Sequence, residues 1–146
     1  MTTKDILQQL PYSAPFLFVD ALLEVTEDGT KGQYTYKPGE YFYQGHFTNN
    51  PVTPGVILTE TMAQIGLVCL GIYLLKDEPL STRSLIALTS VEINFLAPVF
   101  PGETVTVISQ KEYFRFNKLK CQVQMINSED KIVCSGSISG IIKQHN

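Results

Sequence analysis

Residues 54–76 read PGVILTETMAQIGLVCLGIYLLK, and this long apolar stretch restricts the possible folds more than any other feature of the chain. Thr53 is a candidate N-cap and Pro54 suits the first helical position, so a helix of roughly five or six turns is expected. Thr59, Glu60, Thr61 and Gln64 interrupt the apolar run, which leaves too short a stretch to span a bilayer. No membrane partner is expected. A helix that is apolar nearly all round must be covered on nearly every side, and the rest of the chain has to provide that cover.

The remaining segments read mainly as strands. Asp5 to Leu10 suits a short helix stopped by Pro11 and Pro15. Strands are expected over Phe18 to Val25 and, after Glu27-Asp28-Gly29, around Gln33 to Tyr36. A loop follows from Glu40 to Thr53. Beyond a polar break at Lys76 to Arg83, strands are expected at Leu85 to Leu88, Val91 to Phe95, Thr104 to Tyr113, Leu119 to Asn127 and Lys131 to Ile142. Turn residues at Pro98, Pro101-Gly102, Phe116-Asn117-Lys118 and Asn127 to Asp130 separate them. Strands without intervening helices pair antiparallel, so the expected class is α+β, with an antiparallel sheet wrapped round the central helix.

At 146 residues the chain suits a single domain over 1–146. Lys and Arg total 11 against 14 Asp and Glu, a formal charge of -3, without the basic surplus that a nucleic-acid partner demands. Cys69, Cys121 and Cys134 are an odd number at wide spacings and suit buried hydrophobes in a reducing compartment. With only two histidines and no paired-cysteine motif, neither a metal site nor a metal cofactor is expected. The opening residues MTTKDILQQLPY lack the continuous apolar run of a secretory signal, and a cytoplasmic protein is expected.

Two titratable residues stand out, whereas His145 lies two residues from the end of the chain and is set aside. His46, in Tyr43-Gln44-Gly45-His46-Phe47, sits among aromatics just ahead of the apolar helix, where desolvation would favour the neutral imidazole, a base near neutral pH. Glu60 lies on that helix. Either it belongs to a solvated face with Thr59, Thr61 and Gln64, or bonds Gln64 one turn on, or it is a carboxylic acid with a raised pKa able to donate a proton. Gly55 opens the helix without a side chain, so its backbone N–H can meet a carbonyl oxygen. Val56 and Phe47 offer apolar surface to an acyl chain, and Gln64 completes the set of candidate substrate contacts. Base, acid and oxyanion donor together suit proton abstraction beside a thioester carbonyl with loss of a β-hydroxyl.

Gly45-His46-Phe47, Pro51-Val52-Thr53-Pro54-Gly55-Val56 and Glu60-Thr61-Met62-Ala63-Gln64 closely resemble the signature of the 3-hydroxyacyl-acyl-carrier-protein dehydratases. Leu10-Pro11, Pro15 to Asp20 and Asn94 to Glu103 extend the likeness over nearly the whole chain. The resemblance implies a hot-dog fold, no cofactor, and an acyl carrier protein or coenzyme A thioester as substrate. It also implies a homodimer, alone or in a larger assembly of dimers, in which the histidine and the acid come from different subunits. His46 would take the α-proton, Glu60 would assist the β-hydroxyl to leave as water, and Gly55 would hold the thioester oxygen. Three segments depart from the family pattern: Thr48-Asn49-Asn50 after the His-Phe pair, Tyr12-Ser13 after Leu-Pro, and Leu96-Ala97 where basic residues are frequent. A hot-dog thioesterase and a non-catalytic acyl-binding subunit are the competing readings, and free thiol release separates the first from dehydration.

Overall fold

The apolar segment is helix α2, Gly55–Leu74. In length and composition it could cross a membrane, yet 78% of its most apolar 18-residue window is buried inside the fold. The computed structural model describes residues 1–79 and 86–142. The expected strand start at Leu85, the end of the polar break and His145 lie outside the described residues.

Helix α1, Thr3–Gln8, begins two residues before the expected Asp5. Thr2 and Asp5 form a reciprocal capping box, which satisfies two backbone donors that would otherwise be orphaned at its start. Strands β1 (Ala21–Thr26) and β2 (Gly29–Thr35) form a hairpin. Phe18 and Val19, expected in the first strand, are instead buried in the segment that leads into it. A short 3-10 helix, Tyr41–Gln44, occupies the loop ahead of α2. After α2 come β3 (Ile86–Phe95), β4 (Thr104–Arg115), β5 (Lys118–Ile126) and β6 (Ile132–Ile142).

The six strands form one antiparallel sheet in the order β1-β2-β4-β5-β6-β3. With α2 packed on this sheet, the architecture is the hot-dog fold that the sequence leads one to expect. Two expected strands, ending at Leu88 and starting at Val91, are one strand with a register shift between Leu88 and Ser90. Such a bulge carries an extra residue without ending the ladder, so the alternation breaks while the strand continues. β3 forms an edge of the sheet and, among the described residues, pairs with β6 alone.

Inward side chains such as Val107, Val123, Met125 and Ile138 pack on Met62, Ile65, Leu67 and Leu70 of α2. Each such burial contributes about 1.5–3 kcal/mol relative to exposure. The middle of α2, Ala63–Val68, widens into π-type turns. There Thr30 Oγ1 donates to the Ile65 carbonyl at 2.8 Å and meets Ser109 Oγ at 2.8 Å, so β2 and β4 satisfy buried polar groups at the helix surface. Gly66 lets Ser109 and Val123 close in, since a Cβ there would stand 3.0 Å from each.

The start of α2 differs from expectation in a way that matters for chemistry. Pro54, not Thr53, is the N-cap, and Gly55 is the first helical residue. The Thr53 hydroxyl is engaged elsewhere, 2.6 Å from the Tyr43 hydroxyl, and its N–H donates to the Val99 carbonyl at 2.8 Å. Without a capping side chain, the N–H groups of Gly55 and Val56 have no acceptor among the described residues.

Candidate active site

His46 follows the 3-10 helix and is half-buried. Its Nδ1 lies 2.9 Å from the Val52 carbonyl oxygen. A carbonyl only accepts, so Nδ1 carries the hydrogen and Nε2 presents its lone pair, the tautomer that a base requires. The Val52 N–H donates back to the His46 carbonyl at 2.9 Å, and Phe47 and Asn50 exchange two backbone hydrogen bonds of 2.9 Å. The departure at Thr48-Asn49-Asn50 is therefore a closed turn, with Asn49 at φ 59°, a conformation asparagine tolerates. The Phe47 ring stacks on the imidazole at 4.1 Å between centroids and is itself exposed.

Glu60 sits on α2 in a groove of about 550 Å³ lined by Gly55, Val56, Thr59 and Glu60 on the helix and Leu88, Val91, Ile93 and Phe95 on β3. Burial raises its carboxyl above the ordinary value of 4.5, and a hydrogen bond from Gln64 partly offsets the rise. The expected bond to Gln64 one turn on is present, at 2.9 Å, whereas the solvated-face reading does not describe this environment: Thr61 and Gln64 are fully buried, and Thr61 bonds the Tyr36 hydroxyl at 2.6 Å.

Gly55 lines the same groove as Glu60. A Cβ at this position would stand 3.1 Å from two carbons of the Phe95 ring, so glycine allows the aromatic edge of β3 to rest against the helix start. Val56 is exposed at the groove. Gln64 lies deeper, where its amide nitrogen donates to Glu60 Oε2 at 2.9 Å and its other bonds go to the backbone of Phe16 and Phe18. In this structure Gln64 thus backs the Glu60 carboxyl and does not line the groove.

The chain brings Glu60, Gly55 and Val56 together but leaves His46 outside their groove, and no hydrogen bond joins His46 to Glu60 among the described residues. Tyr12, part of the departing Tyr12-Ser13 pair, belongs to the surroundings of Glu60. Burial, reinforced by the Glu60 charge, pushes its phenol up to about 12. Sequence reasoning noted Tyr12 only as a departure from the family pattern, because nothing local brings the Leu10-Pro11 segment to a helix about fifty residues on. Phe95 was equally invisible as a groove wall, since its contact with Gly55 spans the crossover from α2 to the sheet edge. No group of three or more His, Cys, Asp or Glu able to hold a metal occurs among the described residues. All three cysteines are buried and unpaired.

Residues 10–138 match the family model described as FabA-like domain. The 3-hydroxyacyl-[acyl-carrier-protein] dehydratase FabZ of Caldicellulosiruptor saccharolyticus is 35% identical over 143 residues, covering 94% of this chain and 96% of that protein. The protein of the same name from Ehrlichia canis is 31% identical over 147 residues, covering 97% and 95%. Among solved structures, the dehydratase heterocomplex ApeI:P from Xenorhabdus doucetiae superposes with a TM-score of 0.78 at 14% identity, covering 97% of this chain and 91% of that one. A hypothetical thioesterase with coenzyme A from Streptococcus pneumoniae TIGR4 gives 0.68 at 14% identity, covering 99% of each chain. At such identities the superpositions speak to the shared fold alone.

Proposed function

This chain belongs to the FabA-like family, and we propose that His46 and Glu60 are the proton-transfer residues of its reaction. The activity is that of a 3-hydroxyacyl-[acyl-carrier-protein] dehydratase, a hydro-lyase that converts a 3-hydroxyacyl thioester to the trans-2-enoyl thioester and water. The observation that carries the site assignment is the apolar groove in which a half-buried carboxyl, raised above its ordinary range, follows by five and four residues two backbone N–H groups, of Gly55 and Val56, that have no acceptor among the described residues.

The thioester oxygen accepts from the N–H groups of Gly55 and Val56, where the positive end of α2 stabilises the charge that develops as the α-proton leaves. His46 Nε2 takes that proton. The electron pair of the broken C–H bond forms the new double bond as the β C–O bond breaks, and Glu60 donates its proton to the departing hydroxyl, which leaves as water. The imidazolium and the carboxylate then restore their starting states by returning one proton between them through solvent. Gly55 and Val56 hold the substrate oxygen, Val56 and Phe95 flank the acyl chain, and Phe47 orients the imidazole.

Because His46 stands outside the groove of its own chain, the working site in this reading joins His46 of one protomer to Glu60 of another in a homodimer. Edge strand β3 supports the pairing: Leu88, Val91 and Phe95 are 42%, 44% and 52% exposed on a strand whose outer edge pairs with nothing among the described residues. An exposed apolar edge of this kind is a template for another strand. The three buried, unpaired cysteines support a reducing, cytoplasmic setting, and a single domain over 1–146 accommodates the family match at 10–138.

The deciding assay supplies purified protein with 3-hydroxyacyl thioesters of several lengths on acyl carrier protein and on coenzyme A. Enoyl formation without thiol release is expected. Thiol release without enoyl product would make the chain a thioesterase, and neither product would make it a binding subunit.

A further inference from the structure

The hairpin between β4 and β5 turns at Phe116 and Asn117, which take φ values of 52° and 61°. A two-residue turn of this kind places both positions in the left-handed region, where asparagine is at home and a bulky aromatic is not. Phe116 is nevertheless 96% exposed, so no packing inside this chain offsets its conformation. The turn itself is held in place, because the Ile142 N–H of β6 donates to the Asn117 carbonyl at 2.9 Å.

A second conflict lies on the rung beside the turn. Arg115 stands opposite Lys118 in the β4–β5 register, and like charges directly opposite repel. Leu119 is buried, so the alternation of the strand turns Lys118 to the outer face. Neither cation has an acidic partner among the described residues; Arg115 lies over the Tyr113 ring, 4.5 Å from its centroid. Lys120, further from the turn, is neutralised by Glu112 at 3.3 Å, which leaves the free positive charge at the tip. A chain of formal charge -3 thus ends this hairpin in an uncovered ring between two unpaired cations. Local choices that cost stability and give the fold nothing in return belong to functional surfaces.

This surface is separate from the reaction groove. Lys118 pairs with Ile141, Ile142 pairs with Ile86, and Ile86 fills the space that a side chain on Gly71 would need. Gly71 lies sixteen residues along α2 from Gly55, about 24 Å at the helical rise. The tip therefore sits by the opposite end of α2 from the open N–H groups of Gly55 and Val56 in its own chain.

A ring flanked by cations fits a surface that is anionic outside and apolar just beneath. A convex hairpin tip offers far less than the roughly 1,200 Å² that a stable protein interface buries. A bilayer, by contrast, admits a single ring and gathers anionic headgroups round each cation. We propose that the β4–β5 tip docks the protein on anionic lipid bilayers, with Phe116 entering the interface between headgroups held by Arg115 and Lys118. The interruptions in the apolar run of α2 bear on spanning, and this contact spans nothing. One ring and two cations on a chain of net negative charge make the docking weak, reversible and sensitive to salt.

The test uses the full chain and vesicles either of pure phosphatidylcholine or of the same lipid with a third of phosphatidylglycerol. Wild-type protein should float with the anionic vesicles alone, and less at about 0.5 M salt than at about 0.1 M. Phe116→Asn should weaken the binding about tenfold or more. Lys118→Glu, which pairs with Arg115 and cancels the charge of the tip, should abolish it. Each of these variants relieves a local conflict, so both should melt at or above the parent and leave turnover of coenzyme A thioesters unchanged. The chain has no tryptophan, so Phe116→Trp carries the only one, and its emission should shift to the blue on anionic vesicles alone. Wild-type protein that ignores anionic vesicles or binds both kinds equally overturns the proposal, as does bound Phe116→Trp with unshifted emission. Binding that survives Phe116→Asn and Lys118→Glu overturns it too, and so do variants that melt well below the parent, since ring and cation would then serve the fold. Absence of vesicle binding together with capture of unacylated acyl carrier protein, lost in the two variants, would make the tip a protein-docking surface instead.

Discussion

The Nδ1 of His46 lies 2.9 Å from the carbonyl oxygen of Val52, and the Val52 N–H returns a bond of the same length to the His46 carbonyl. The backbone thereby fixes the tautomer of the imidazole, with Nε2 left as the basic nitrogen. His46→Ala is expected to lose about a hundredfold to ten-thousandfold in kcat, the usual range for a general base, while retaining the melt of the parent. Val52→Ala leaves the carbonyl in place and should stay within a few fold. Steady-state kinetics on both variants checks the pair, and a severely impaired Val52→Ala would move the orienting role to the side chain.

The close approach of Phe95 to Gly55 gives a second prediction. A methyl group at position 55 meets the ring at 3.1 Å, so Gly55→Ala must displace Phe95 or tilt the helix start. Either change moves the two free N–H groups relative to the bound thioester, and a displacement of about 1 Å is enough to cost roughly a hundredfold. Gly55→Ala should therefore lower kcat/KM strongly, and Phe95→Leu in the same chain should restore part of it by giving the methyl room. Additive losses in the double variant would show that the two residues do not act through this contact.

How far this site was legible follows from which partners are local. The long apolar helix with its N-terminal proline, the antiparallel class and the residues His46, Glu60 and Gly55 are carried by contiguous stretches of sequence. Thr53 was misread as the cap because its hydroxyl is drawn to Tyr43 ten residues earlier in the loop. The π-type turns at Ala63–Val68 have no local signature, and in the fold they lie where Thr30 and Ser109 reach the helix. The orientation of Gln64 depends on Phe16 and Phe18, 48 and 46 residues away. Apolar β3 was legible as strand, but its place at the edge, and so its role as a groove wall, comes from the crossover after α2.

Complementation tests the shared site. His46→Ala supplies an intact Glu60 and Glu60→Gln an intact His46, so each heterodimer contains one complete site and one doubly damaged site. Random exchange makes about half of all dimers mixed, and activity should rise from background to about a quarter of the parent's. Confirmed subunit exchange without recovery would place both residues in one protomer's site. Analytical ultracentrifugation of a charged edge variant, Val91→Lys, provides an independent check: the substitution puts a charge on the exposed edge strand and should shift the protein toward monomer.

Glu60 carries a cost in stability that is set by pH. Its carboxyl is raised in the folded chain because burial disfavours the charge, and the Gln64 bond only partly compensates. A carboxyl whose folded pKa lies above its unfolded value favours the fold while it is protonated, and that contribution is lost as pH rises from the ordinary 4.5 through the raised value. Above that window the native state holds an ionised group that the unfolded chain solvates better. Glu60→Gln removes the charge and keeps an oxygen to accept from Gln64, so the inactive variant should melt higher than the parent near neutral pH. The gain is modest, about a degree or two, since the carboxyl is partly open to solvent. Below about pH 4 the parent's Glu60 is protonated in both states and the two melts should coincide. Melting curves recorded from pH 4 to 8 check the sign: a parent that melts higher than Glu60→Gln at neutral pH would show that an ionic partner stabilises the Glu60 carboxylate in the assembled protein.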